Sequence, residues 1–287
     1  MKKNILITGT STGVGLESAL LFAREGYKVY ATMRNLDKAE PLHDAISKEG
    51  LDITVLPLDV TKVDTIKDTV ATIIKADGKL DILLNNAGAG FAKTLEQTSL
   101  EEIDWVTNVN YLGVVKTTQA VLPHMRAAKS GHIINITSVG GLVGQPFSEL
   151  YCGAKFAVEG FTEALASYVG EPFNIKFSLV EPGGIATEFM NNAVAKTSND
   201  KGEMVTGAYK PIFDTFLQGA QDRAANGDAT AYQTPEQVAA IILDLAKEEN
   251  PPLRKRTSDW AEQLCHLKTK ADPTGNKLLQ EVKAKFL

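Results

Sequence analysis

The feature that most constrains this chain is an alternation of short, mainly apolar runs with longer amphipathic stretches. Asn4–Thr8 is followed by Gly15–Glu25, Lys28–Met33 by Leu36–Glu49, and Ile53–Leu58 by Lys62–Ala76. The rhythm continues through Leu80–Asn85, a helical stretch from about Ser99 to Leu122, His132–Ile136, a second helix around Tyr151–Tyr168, and Ile175–Val180. Strands apolar on both faces need cover on both faces, and a parallel sheet with crossover helices supplies it. The expected fold class is α/β, a single Rossmann-like doubly wound parallel sheet.

At 287 residues the length alone allows two domains, but there is no internal repeat, low-complexity tract or linker, so one domain over 1–287 is expected. From Thr187 to Gln233 the rhythm lapses into a polar loop, Asn191–Glu203, followed by a helical pattern. It resumes at Thr234-Pro235-Glu236-Gln237, a helix start with a capping threonine, a first-turn proline and a glutamine three positions on. An insertion at the carboxyl edge of a parallel sheet covers the ligand crevice, so 187–233 reads as a helical substrate lid. A solvated surface excursion fits Lys196–Glu203 equally well. Residues 251–287 form a C-terminal extension.

Thirty Lys and Arg against 35 Asp and Glu give a formal charge of −5. That balance offers no footprint for nucleic acid and no attraction to an acidic membrane, and favours a small-molecule partner. Cys152 and Cys265 show no metal-ligand spacing, and His43, His124, His132 and His266 are scattered singly, so no metal is expected. The apolar run after Lys2 and Lys3 is only Ile5–Ile7, too short for a signal peptide or a membrane span; a cytoplasmic protein is the expectation.

The first strand ends in Thr8-Gly9-Thr10-Ser11-Thr12-Gly13-Val14-Gly15 and runs straight into a helix. Glycines there suit a tight turn close to an anion, with a pyrophosphate at the helix N-terminus. The spacing is G-x-x-x-G-x-G rather than G-x-G-x-x-G, and alone it is a weak signal that a structural tight turn also explains.

With that turn, Asn85-Asn86-Ala87-Gly88, Asn110 in Asn108-Val109-Asn110-Tyr111, Ser138, the Tyr151 and Lys155 of Y-x-x-x-K, and Pro182-Gly183, the chain resembles the short-chain dehydrogenase/reductase family over nearly its whole length. Singly, Ser138 could be a helix cap, Tyr151 a core aromatic and Lys155 a solvated cation; their common order makes the resemblance. It implies Asn110, Ser138, Tyr151 and Lys155 as the catalytic set. It also implies a cofactor bound by Gly9, Ser11, Thr12, Gly13, Val14, Gly15, Asp59, Val60, Asn86, Ala87, Gly88, Tyr151, Lys155, Pro182, Gly183, Ile185 and Thr187. Residues four apart share a helix face, so Lys155 can stand near the Tyr151 hydroxyl and favour its phenolate, making Tyr151 the general acid/base. Ser138 would hold the substrate oxygen, and the resemblance assigns Asn110 to a helix distortion serving a proton relay.

The second strand ends in Ala31-Thr32-Met33-Arg34, with no carboxylate until Asp37. An acid there would bind the ribose of NAD; Arg34 instead suits a 2′-phosphate, so the expected cofactor is NADP(H). Val139–Phe147, the Tyr151–Ala157 segment, Pro252-Leu253-Arg254 and Asp272–Gly275 resemble the branch of estrogenic 17β-hydroxysteroid dehydrogenase and photoreceptor retinol dehydrogenase. The resemblance implies a bulky, apolar ketone or aldehyde as substrate, with Val143, Phe147, Phe189 and Met190 as pocket walls or as plain core. An NADPH-dependent carbonyl reductase or alcohol dehydrogenase is the expected function. The alternatives are a narrow hydroxysteroid or retinol dehydrogenase and, from another class, a non-catalytic NADP(H) sensor. A homodimer or homotetramer through the helices beginning near Ser99 and Leu150 is common in the family.

Overall fold

The computed structural model describes residues 2–187, 193–194, 196–198, 202–225 and 232–286. The apolar runs form β1 (Asn4–Thr8), β2 (Lys28–Met33), β3 (Ile53–Pro57), β4 (Ile82–Asn85), β5 (Gly131–Ile136) and β6 (Ile175–Glu181). The central sheet has the order β3-β2-β1-β4-β5-β6 and ends in a seventh strand, Arg254–Arg256, with every neighbouring pair parallel. The order reverses between β1 and β4, and the crevice opens there, beyond the carboxyl ends of the strands.

The period-two geometry of the strands divides their side chains between two cores. Ile5, Ile7, Val29, Ala31 and Leu84 pack with Phe22 of α1 (Gly13–Arg24) and Ile242 of the helix Pro235–Lys247. Leu6, Tyr30, Leu83 and Ile133 face the other way, against Ile73 of α2 (Val63–Asp77), Val121 of α3 (Gly113–Ala128) and Val158 of α4 (Glu149–Phe173). The predicted helix start at Thr234 is a complete capping box, Thr234 and Gln237 each accepting from the other's backbone N–H.

Two differences from the sequence reading matter for the site. The stretch expected as one helix from Ser99 to Leu122 is Leu100–Thr107, a single π turn over Asn108–Leu112, and then α3. The seventh strand, Arg-Lys-Arg, has no apolar run to announce it; it enters the sheet because buried carboxylates receive its arginines. Part of the C-terminal extension is therefore central sheet. In the lid, a helix Lys210–Ala225 docks through Phe213 and Phe216 onto Phe147, with Ala92, Met204 and Val205 completing the cluster. Among the described residues no helix is long and apolar enough to cross a membrane, and no group of His, Cys, Asp and Glu could hold a metal ion.

Candidate active site

The glycine turn is held by neutral hydrogen bonds. The buried hydroxyl of Thr8 accepts from the N–H groups of Asn86 and Ala87, each at 3.0 Å. The Asn86 amide donates to the carbonyls of Thr8 and Gly9, each at 2.9 Å. Gly9 has φ +74°, and a Cβ there would lie 2.9 Å from Ala87 Cα. A Cβ on Gly15 would lie 2.2 Å from the Gly9 oxygen and 2.4 Å from Asn86 Nδ2, so the helix approaches the strand end closer than any side chain permits.

Thr12, the residue before α1, makes no side-chain cap, and the first turn carries no acid. The free N–H groups and positive end of the helix are the donor set a pyrophosphate needs, so the corner fits a dinucleotide. Val14 is buried, Ser11 is half-buried, and Thr187 packs its methyl 3.2 Å from where a Gly13 Cβ would stand. Arg34 and Asp37 are both exposed, and among the described residues Arg34 has no hydrogen bond or ion pair. Asp59 accepts from the Thr61 N–H and hydroxyl at 2.9 and 2.7 Å, while Val60 is buried against Gly113. Ile185 packs on the core beside α1, in a two-residue strand paired with Tyr232–Gln233.

The four expected catalytic residues converge from three elements. Ser138, just past β5, accepts from the Gly140 N–H at 3.0 Å and is hydrogen-bonded with the Tyr151 phenol. It is a cap and a partner of Tyr151 at once. Lys155, one turn along α4 from Tyr151, is buried; its Nζ donates to the Ile136 carbonyl at 2.9 Å and lies 5.7 Å from the centre of the Tyr151 ring. The Asn110 amide donates to the carbonyls of Ala89 and Val106 at 3.0 and 3.1 Å and accepts from the Ala89 N–H at 3.0 Å. It sits in the π turn, which realises the expected helix distortion. A Cβ on Gly88 would stand 3.1 Å from Asn110 Oδ1 and 3.7 Å from Lys155 Nζ, joining this cluster to the cofactor corner. Pro182 accepts from the Val139 N–H at 2.9 Å, which ties the end of β6, and Gly183 after it, to the Ser138 turn.

The expected lowering of the Tyr151 pKa by Lys155 is not what this structure shows. Burial pushes the phenol up to about 12, with the Ser138 hydrogen bond opposing. Desolvation of the buried phenol is the largest cause, while the Lys155 ammonium lies over the ring and donates to the Ile136 carbonyl. Burial also brings Lys155 down to about 8, opposed by the charge of Glu159.

On the substrate side, Phe147 is buried under the lid helix with φ +59°, and Val143 is half-buried beside Leu142, Trp260 and Cys265. Phe189 and Met190 lie outside the described residues. The sequence reading missed a buried amide chain: Asn85 donates to Asn135 at 2.8 Å, and Asn135 to Thr162 of α4 at 2.9 Å. An asparagine inside each of the buried strands β4 and β5 was its signal. It also missed Phe213 and Phe216, whose spacing is that of any amphipathic helix.

The model of the short chain dehydrogenase family matches residues 3–198. The chain is 37% identical to retinol dehydrogenase 8 of Bos taurus, covering 96% of this chain and 87% of that protein. It is 36% identical to a 3-ketodihydrosphingosine reductase of Bacteroides thetaiotaomicron (91% and 89%) and 34% identical to human 17-beta-hydroxysteroid dehydrogenase type 1 (95% and 82%). Among solved structures, ElxO with NADP bound superposes with a TM-score of 0.71 at 30% identity, over 90% of this chain and 97% of that one. The chain thus belongs to the short-chain dehydrogenase family of oxidoreductases.

Proposed function

We propose that this protein is an NADP(H)-dependent carbonyl reductase and alcohol dehydrogenase for bulky, apolar ketones or aldehydes. The observation that carries the reading is the convergence of Ser138, Tyr151, Lys155 and Asn110 beside an uncapped glycine-turn helix start. The nicotinamide, when bound, supplies or accepts the hydride. Ser138 holds the substrate oxygen through its hydroxyl, and Tyr151, protonated at neutral pH by its raised pKa, donates its phenolic proton to that oxygen during reduction. Lys155, fixed on the Ile136 carbonyl, keeps a positive charge beside the ring and favours the phenolate left behind.

Arg34, exposed after β2 and unpaired among the described residues, supports the choice of NADP(H) through its guanidinium fork, with Ser11 nearby in the turn. The NADP-bound structural neighbour supports the same choice. The lid's aromatic cluster on Phe147 and the lipid-like ketone of the sphingosine-type relative's name support an apolar substrate. A second reading, a narrow retinol or hydroxysteroid dehydrogenase, is favoured by identity across 96% of the chain with retinol dehydrogenase 8. Exposed Leu100, Leu112, Phe156 and Tyr168, on the helices beginning near Ser99 and Leu150, support a homodimer or homotetramer.

The test is loss of nicotinamide absorbance with NADPH and NADH across aryl ketones, aldehydes, a ketosteroid and retinal. Broad turnover with NADPH preference supports the proposal; activity confined to the steroid or retinal replaces it with the second reading. Arg34→Ala lowers the NADPH preference by roughly 10- to 100-fold, the worth of one charged hydrogen-bonded contact.

A further inference from the structure

The seventh strand carries a buried charge cluster that the proposed chemistry does not use. Arg254 Nε donates to Glu159 at 3.0 Å and lies 3.3 Å from a Glu181 oxygen, and its Nη2 donates to Glu163. Arg256 donates to the other Glu181 oxygen at 2.9 Å, to the Pro273 carbonyl at 2.5 Å, and to Glu262. The Glu181 side chain has no exposed surface, and among the described residues one oxygen each of Glu159 and Glu181 has no hydrogen-bond partner. Burial raises both carboxyls, Glu181 to about 8.

These carboxylates hang on the parts of the active site. Glu159 follows Lys155 by one turn of α4, and its Cγ lies 3.2 Å from where a Gly141 Cβ would stand, in the turn that begins at Ser138. Glu181 is the last residue of β6, directly before Pro182-Gly183. An apolar cluster would fill the same space with no loss of stability, since a buried ion pair seldom exceeds its own desolvation cost. What a guanidinium adds is direction, because several N–H donors in one plane fix the angles between the elements they bind.

We infer that Arg254 is a positioning residue for the reaction: its guanidinium, meeting Glu159 and Glu181 together, sets the Tyr151–Lys155 helix against the Ser138 turn and the Pro182-Gly183 corner. The inference rests on the proposed carbonyl chemistry of that site. Arg254→Met lowers kcat by roughly 10- to 100-fold, the scale of a displaced reacting group, while KM and the NADPH Kd stay within about threefold. Arg254→Lys, which keeps charge without the fork, falls between the two. Glu163→Gln, on the partly exposed member of the cluster, gives a smaller loss of kcat and serves if Arg254→Met does not fold.

Hydrogen exchange of the 149–160 segment is measured on the same proteins and speeds up in step with the loss of kcat. Wild-type kcat and exchange in both Arg254→Lys and Glu163→Gln would overturn the inference, as would a loss confined to KM. If the wild-type protein reduces no carbonyl, the proposed function falls, and unchanged exchange in the variants would then sink the positioning role separately.

Discussion

The two corners of the crevice are built by opposite means. At the glycine turn, Thr8, Gly9, Gly15 and Asn86 meet through neutral hydrogen bonds and backbone contact, all near the ends of β1 and β4. At the far side of the sheet, Glu159, Glu181, Arg254 and Arg256 meet as carboxyl–guanidinium contacts, drawn from α4, β6 and the last strand. The first corner has no room for an added atom; the second is held by carboxyl–guanidinium pairs. A site that must bind an anion and then move a proton gains from a rigid neutral cradle on one side and fixed directions on the other.

The sharpest division between the corners comes from a variant that disturbs neither. Tyr151→Phe keeps both and removes only the phenolic hydroxyl, so turnover falls by about 10²- to 10⁴-fold while NADPH binding, followed by nicotinamide fluorescence, is retained. An active Phe variant would end the role given to Tyr151. Arg254→Met attacks the charged corner and leaves Glu159 without its arginine and Glu181 with Arg256 alone; a loss of about 3–5 kcal/mol in urea unfolding is expected. A stability change below 1 kcal/mol, by contrast, would show the cluster to be replaceable packing.

Gly15→Ala attacks the neutral corner by overpacking, with a cost of about 1–3 kcal/mol and weakened NADPH binding. If binding is unaffected, the turn is not the dinucleotide cradle. A third buried group sharpens the contrast further. His132 is buried with no acid paired to it among the described residues, its Nε2 2.9 Å from Ser178 Oγ, and burial, with Lys176 and Lys3 adding repulsion, brings its pKa to about 3. The folded state therefore binds one proton fewer than the unfolded chain between about pH 6.5 and 3. Stability is full above that window and falls by about 1.4 kcal/mol per pH unit as pH drops through it. His132→Gln flattens this slope in acid unfolding titrations; an unchanged slope would place the proton elsewhere. The smallest effect is at the helix start remote from both corners, where Thr234→Ala removes one cap for about 1 kcal/mol in Tm or urea midpoint.

Legibility follows the range of the interaction. The glycine turn, Ser138 and the Tyr151–Lys155 pair were readable because each is specified within a few residues, by a strand end, a cap or one helical turn. The direction of the Tyr151 pKa was not readable, because i,i+4 spacing places Lys155 on the right face but says nothing of how deeply the fold buries the phenol. The π turn at Asn108–Leu112 was expected only through the family likeness, since no local propensity marks it. Arg254-Lys255-Arg256 reads as a solvated loop by any hydropathy pattern; as a strand it depends on carboxylates 73 to 95 residues away.

By itself, then, the sequence determined the sheet, its two apolar faces, the helix starts and the chemical identity of the site, because periodicity, caps and turn glycines act over short distances. Only the tertiary structure decided how deeply Tyr151 and Lys155 are buried, where the lysine's charge points, and that two arginines of the C-terminal segment close the sheet. Burial and charge pairing depend on which distant segments arrive together, and no window of the chain contains that information.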